Sequence, residues 1–328
     1  MKRSHHTPAR CSKLGEQIWV VTVLIVASLI CLLLAQPACA ETEKSAHPKT
    51  QVPIERMIAD RQFTQAETVL VHALAMSPRD GKYVLMLAQV YFDEHRYADA
   101  QSMLYQANRL LGPTANGEVL AGLIDVVQNK LGASEERDRK AISLDPQNAP
   151  AHYYLGRCLY TRQSMAEAAE QYKTAISLDP TLIRAYDGLG LAYQALGARQ
   201  EAERSFQEGM NQESKSPRRL SEWLPLDFAT FLLESGPTEQ VEHLLKMALL
   251  RNPDNAEVWY QLGKFNYQSK RYSDAVAMAQ HALQLDPKSA RAHYLCGRSY
   301  HALHQEAEAK AEFAKFHELS DGQSTNHP

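Results

Sequence analysis

The sequence predicts an all-α protein, an α-solenoid of about eight helix-turn-helix units. Two echoes and one periodicity predict it. AISLDP stands at 141–146 and again at 175–180, 34 residues later, with ALQLDP at 282–287. The heptapeptide AHYYLGR at 151–157 returns nearly unchanged as AHYLCGR at 292–298. Between these echoes, apolar and small residues recur at spacings of three, four and seven, which places them on one face of a helix. Self-similarity at a fixed period near 34 marks a repeat array, whose units bury their apolar faces only by stacking on their neighbours.

The composition agrees. The 328 residues are 45% hydrophobic and 22% charged, an ordinary globular balance. A length that could hold two or three domains fits one continuous array equally well. A formal charge of −3 argues against a general binder of phosphate backbones.

Residues 1–40 are a separate kind of sequence. Lys2, Arg3, Arg10 and Lys13 precede an uncharged apolar run from Ile18 to Ala35, and QPACA follows. Basic, apolar and small residues in that order read as a secretory signal, with Ala38 and Ala40 placed for cleavage after Ala40. The alternative is an uncleaved membrane anchor through residues 18–35, since 18 apolar residues come close to spanning a bilayer. Both readings carry the rest of the chain out of the cytoplasm, to a periplasmic or other extracytoplasmic location. The basic side chains and Glu16 give residues 1–40 a net +3, so residues 41–328 carry −3 − 3 = −6.

After a linker at 41–46, taking Pro146 as position 32 of a 34-residue unit sets the register. The units are 47–80, 81–114, 115–148, 149–182 and 183–216, then 222–255, 256–289 and 290–323, with an insertion at 217–221 and a tail at 324–328. Four units and the five inserted residues account for the 141 residues that separate the two heptapeptides. Unit 256–289 shows the pattern: Trp259, Leu262, Gly263 and Tyr267 share a face of a first helix, Ala275, Ala279 and Ala282 one of a second. Lys270 to Ser273 form the turn, and Pro287 stops the second helix.

Three columns hold small residues. Position 8 reads Ile54, Ala88, Gly122, Gly156, Gly190, Ala229, Gly263 and Gly297. Position 20 reads Ala66, Ala100, Ser134, Ala168, Ala202, Val241, Ala275 and Ala309. Position 27 reads Ala73, Ala107, Ala141, Ala175, Gly209, Ala248, Ala282 and Phe316. Small side chains let two helices approach closely and interlock their ridges. In these columns, and in Pro78, Pro146, Pro180, Pro253 and Pro287 at position 32, residues 47–323 resemble the tetratricopeptide repeat family.

The departures carry expectations. Pro53 makes the first helix of unit 47–80 start late and short. Asp138 stands at an aromatic position, so the second helix of unit 115–148 should pack poorly. Unit 183–216 lacks its terminal proline, which makes 213–221 a joint. Phe316 replaces a small residue in the last unit and can help close the end.

No sequence constellation points to catalysis, a cofactor or a metal. Phosphate-binding loops, HExxH, GxSxG and CxxC are absent. His301 and His304 flank a turn with no third ligand beside them. Cys158 and Cys296 read as small buried hydrophobes rather than a disulfide. Glu135 and Glu136 read as a solvated helix start.

What remains is a surface. The resemblance implies a right-handed superhelix whose concave face is lined by first-helix positions 2, 5, 9, 12 and 13. Carried over, those positions include Tyr153, Arg157 and Tyr160, then Arg184, Asp187 and Gln194, then Trp223, Leu226 and Thr230, then Glu257, Tyr260, Lys264, Tyr267 and Gln268, and finally Arg291, Tyr294, Arg298 and His301. The N-terminal units place Leu85, Gln89 and Phe92, then Val119, Leu123 and Val126 there. The groove is thus apolar at one end and aromatic–basic at the other. Tyr supplies flat area and a hydroxyl, and Arg pairs carboxylates, a combination suited to an extended acidic or C-terminal peptide segment. An ion pair from Arg157 to Asp187 is the plain structural alternative. The sequence therefore reads as a non-enzymatic scaffold for a protein or peptide partner. Nucleic acid is disfavoured, and membrane contact is confined to an uncleaved N-terminal segment. A glycan or cell-wall module stacking sugars on tyrosines, or an interaction module of an envelope secretion or biogenesis complex, is the alternative.

Overall fold

The computed structural model describes residues 53–215 and 220–324. The candidate export segment, the linker and part of the 217–221 insertion lie outside them. Within the described residues there are sixteen α-helices and no strands. The first helices of the eight units are α1 (Ile54–Ala59), α3 (Gly81–Asp93), α5 (Ala115–Val127), α7 (Ala149–Thr161), α9 (Ile183–Ala195), α11 (Trp223–Leu233), α13 (Ala256–Gln268) and α15 (Ala290–Ala302). The second helices are α2 (Phe63–Met76), α4 (Tyr97–Leu111), α6 (Leu131–Leu144), α8 (Met165–Leu178), α10 (Arg199–Ser214), α12 (Glu239–Arg251), α14 (Tyr272–Leu285) and α16 (Glu306–Ser324). Each pair falls inside its 34-residue unit, except that α16 runs one residue past it to Ser324, and α1 is the short, late-starting helix that Pro53 requires.

The unit boundaries have local causes. Asp80, Thr114, Asn148, Asn255 and Ser289, each the last residue of a unit, cap the following first helix by accepting from its free backbone N–H groups. Between the two helices of every unit, position 15 takes a left-handed backbone. Gly197 and Gly236 occupy it in two units; Arg61, His95, Asn129, Gln163, Lys270 and His304 occupy it in the other six. A side chain there is strained, so Gln163→Gly and Lys270→Gly should each stabilise the fold by about 0.5–1 kcal/mol in chemical denaturation. A loss of stability at both would mean that these side chains hold the turns.

The small columns seat large residues from the partner helix. A Cβ on Gly190 would stand 2.6 Å from the Phe206 ring, and one on Gly156 2.8 Å from Tyr172. Both rings sit at position 24 and are fully buried or nearly so. Phe206 continues into a cluster with Phe228 and Phe231 that joins α10 to α11.

Two expectations need correction in unit 115–148. Asp138 does not leave α6 poorly packed. It is 1% exposed and takes the place of the missing ring, with its carboxylate accepting from the Cys158 thiol at 3.7 Å. The small side chains Ser134 and Ala141 let α6 close on its neighbours around it. Glu135 is likewise not a solvated helix start. It is buried and holds Arg139 at 2.9 Å and Arg162 at 2.6 Å, which keep its carboxyl below the ordinary range. Two guanidiniums compensate the charge that burial would otherwise penalise.

The joint after α10 is clamped. Glu213, near the end of α10, is 4% exposed and pairs with Arg251 at the end of α12 at 2.9 Å. Arg251 also donates to the Ser221 carbonyl at 2.6 Å. At the other end, Phe316 packs on Tyr294 with ring centroids 5.1 Å apart.

First helices of neighbouring units touch in sequence: α3 with α5, α5 with α7, and onward to α13 with α15. Second helices of neighbouring units are spread apart. A stack whose members are closer on one side curves toward that side, so the first helices form the inner face. Among the described residues no helix is long and apolar enough to cross a membrane.

Candidate functional site

The two heptapeptides open the inner face, and their histidines carry the first surprise. His152 and His293 are buried, and the Nε2 atom of each lies 3.2 Å from a carbonyl, of Pro146 and Pro287 respectively. Each Nδ1 lies against the second helix of its own unit, at Gln171 Oε1 (2.8 Å) and Glu312 Oε2 (2.6 Å). Trp259, at the same position of its unit, donates its indole N–H to the Pro253 carbonyl at 2.7 Å. A ring nitrogen at position 4 thus ties each of these first helices to the proline that ended the previous unit. Sequence reasoning missed this role, although the paired AHY…DP echoes carried the signal.

The aromatic–basic residues come together in two clusters. In the first, Arg184 of α9 lies 5.1 Å from the Tyr153 ring centroid and 5.9 Å from that of Tyr154. Arg157 approaches the same two rings at 6.0 and 5.7 Å. In the second, Arg291 of α15 lies 5.0 Å from the Tyr260 centroid and donates to Glu257 at 2.7 Å. Arg298 lies 4.5 Å from the Tyr267 centroid and donates to its hydroxyl at 3.0 Å, with Tyr294 on its other side at 5.7 Å. Both clusters repeat one device: a tyrosine at position 5 of one unit carries an arginine from position 2 of the next. Such contacts are attractive in themselves.

Other placements depart from the sequence reading. Tyr153 is 7% exposed, wedged against Tyr154 and Tyr172, so it supports the two arginines instead of standing open in the groove. Burial pushes its phenol up, while Arg184 and Arg157 oppose that shift. Arg157 makes no ion pair with Asp187, whose Oδ1 is buried without a hydrogen-bond partner. Arg157, Arg184, Arg291, Tyr294 and Arg298 are exposed; Tyr160, Lys264, Tyr260 and Tyr267 are half-buried.

Toward the N-terminal side, Leu85, Gln89 and Phe92 of α3 are half-buried, and Gln89 donates to Asp93 at 3.1 Å. A pocket of about 70 Å³ opens beside Arg157, lined by Leu123, Val126, Leu131, Tyr154 and Cys158 among others. Between the two cationic clusters lies a stretch of which sequence reasoning named Tyr160 and Asp187 but not Asp227. Asp187 of α9 and Asp227 of α11 face each other electrostatically, and both act on Tyr160 of α7. Asp227 stands at position 6, one residue past the positions that the resemblance supplies. Cys158 and Cys296 are free and buried. The described residues contain no cluster of three or more His, Cys, Asp or Glu side chains placed to hold a metal ion.

Comparison with known proteins agrees with this architecture. Residues 156–197 match a family model described as TPR repeat. Residues 232–290 and 266–315 match two models described as Tetratricopeptide repeat. The chain is 25% identical over 214 residues to Tetratricopeptide repeat protein 37 of Xenopus laevis, a match that covers 63% of the chain and 13% of that relative's length. Among solved structures it is similar to the APC/C hetero-tetramer Cut9-Hcn1, with a TM-score of 0.67 and 16% identity over 82% of this chain and 52% of that one. It is also similar to pilF of Pseudomonas aeruginosa, with a TM-score of 0.56 and 17% identity over 66% of this chain and 96% of that one. The chain carries tetratricopeptide repeats in its matched segments, and its described helices form a solenoid of that type.

Proposed function

We propose that this chain is a non-enzymatic scaffold that grips an extended segment of a protein partner along its inner face, outside the cytoplasm. The cross-unit tyrosine–arginine ladder carries the reading. Arg184 and Arg291 lie over tyrosine rings at equivalent places 107 residues apart, with exposed Arg157 and Arg298 beside them. An acidic side chain or a terminal carboxylate of the partner would meet such a guanidinium bidentately. The apolar pocket beside Arg157 suits a neighbouring apolar anchor. The Cut9-Hcn1 likeness adds that this architecture serves in a multi-chain assembly. Export is supported by the basic, apolar and small-residue order of residues 1–40.

The test is capture of the partner from a native envelope extract, followed by titration. Arg157→Glu with Arg298→Glu should weaken binding at least about tenfold, the scale of one lost charge-assisted contact. Binding should also fall as salt rises. An affinity unchanged by the double reversal contradicts the reading, and an affinity indifferent to salt favours stacked sugars over a charged peptide. N-terminal sequencing of the native protein should give Glu41; a retained N-terminus would point to the membrane anchor.

A further inference from the structure

Resting on that reading, the pocket beside Arg157 says more about the partner. Its origin lies in two columns of the repeat. Three units pair glycine at position 8 with a ring at position 24: Gly156 with Tyr172, Gly190 with Phe206 and Gly297 with Phe313. A Cβ on those glycines would stand 2.8, 2.6 and 2.8 Å from the rings, so the missing side chain is what seats each ring. Where Gly263 faces Ala279, Leu295 of the next unit fills the seat, 3.0 Å from such a Cβ. Unit 115–148 keeps the glycine, Gly122, but sets Asp138 against it. A Cβ on Gly122 would meet nothing closer than Asp138 Oδ1 at 3.2 Å. This unit thus retains the seat without the ring.

Beside Asp138 lies the pocket of about 70 Å³, bounded by α5, α6 and α7 and lined chiefly by apolar groups. Leu123 and Val126 of α5 and Tyr154 of α7 line it, and Asp138 of α6 borders it from within, 1% exposed and accepting from the Cys158 thiol. Arg157 and Thr161, at positions 9 and 13 of α7, also line it and are exposed, so the pocket opens on the inner face. Its size sets what fits. An apolar cavity of roughly 150 Å³ takes a benzene ring, so this one takes a branched aliphatic side chain and no ring. Its charge sets what stands alongside. Arg157 lies over the Tyr153 and Tyr154 rings and makes no ion pair among the described residues.

We propose that this pocket receives a Leu, Ile or Val side chain of the partner's segment, with an Asp or Glu two places along the segment meeting Arg157. The void forgoes packing contacts that the other units make, and the partner's side chain supplies them. In an extended chain, alternate residues share a side and stand about 7 Å apart. That spacing sets an aliphatic group in the pocket and a carboxylate at its rim, where the guanidinium of Arg157 accepts it bidentately. The device belongs to unit 115–148 alone among the units with glycine at position 8, because the others fill the seat from within.

The test pans a displayed library of random peptides on the full-length chain and measures the affinity of synthetic copies of the selected peptides. These should share a Leu, Ile or Val two places from an Asp or Glu. Replacing the aliphatic residue by Ala or by Phe, or the acid by its amide, should each weaken binding at least about tenfold. Asp138→Phe returns a ring to the seat that Gly122 leaves open. It should fold with an unfolding temperature no lower than wild type and bind the peptides at least about tenfold more weakly. Thr161→Trp closes the pocket from its exposed rim and should have the same effect on binding without touching the buried aspartate. Selection of aromatic residues, of aliphatic residues without the acid, or of no shared residue overturns the proposal. So does unaltered binding in the two variants. The selected peptides also separate this inference from the reading beneath it. If Arg157→Glu with Arg298→Glu destroys their binding while Asp138→Phe and Thr161→Trp leave it intact, the pocket is wrong and the groove stands. If all the variants bind normally, both fall.

Discussion

Arg251→Met should destabilise the chain by about 3–5 kcal/mol, because it leaves the carboxylate of Glu213 buried without its counter-ion. The pair sits where the repeat register is broken, with side chains 11% and 4% exposed and a separation of 2.9 Å. Burial already holds the Glu213 carboxyl above its ordinary value, although Arg251 pulls it down. Removing Arg251 drives it higher, so the variant should regain stability as the pH falls and Glu213 takes up a proton. Glu213→Gln added to Arg251→Met should restore most of the loss, since an uncharged pair leaves no unpaired ion. The damage should also be local. In a stack held by nearest-neighbour contacts, weakening one interface uncouples the two sides, and denaturant unfolding should split into two transitions at this joint. A single transition with stability near wild type would mean that the Phe206–Phe228–Phe231 cluster alone secures it.

Asp138→Leu should do the opposite and stabilise the chain at neutral pH by about 2–4 kcal/mol. The same column holds Leu70, Leu104 and Leu245 in other units, all buried. The pocket beside Asp138 leaves room for the added methyl groups. Burial pushes the Asp138 carboxyl up to about 7, with the Cys158 thiol and Arg157 opposing and Glu135 adding to the rise. The sign of the pH dependence follows. Below about pH 4 the group is protonated in both folded and unfolded chains and costs nothing. Between about pH 4 and 7 the unfolded chain has released its proton while the folded chain keeps it, so stability falls as pH rises, by about 1.4 kcal/mol per unit. Above that window the penalty is full and constant. The advantage of Asp138→Leu over wild type should therefore be smallest near pH 4 and grow up to about pH 7. Equal slopes for the two proteins across that window would show that Asp138 is not the group responsible.

The repeat register was legible because its causes are local and recur. Small residues at positions 8, 20 and 27, a breaker at position 32 and a helix-face spacing appear in the chain as written. The capping column could have been read in the same way from Asp80, Thr114, Asn148, Asn255 and Ser289, whose types are those that cap. The left-handed turn residue could not. Glycine would have announced it, but six of eight units carry side chains there that the tertiary structure forces into the turn. The errors share one origin. Asp138, Glu135 and Tyr153 were each read from residue type, as a packing defect, a solvated acid and an open recognition residue. In each case the outcome depended on residues outside its own helix, namely Cys158, Arg162 and Tyr172. The acidic stretch was half visible. Asp187 stood at a groove position, whereas Asp227 became part of the face only when α9 and α11 were set side by side.

The central claim is that the first-helix face is where the partner lies. Site-specific photo-crosslinking in the full chain tests it most directly. A photoreactive phenylalanine analogue replaces Tyr160 or Lys264 on the inner helices α7 and α13, and Glu203 or Gln207 on the exposed side of α10, before exposure to the captured partner. The account predicts crosslinks from the inner positions and none from Glu203 or Gln207. Crosslinks confined to α10 would contradict it.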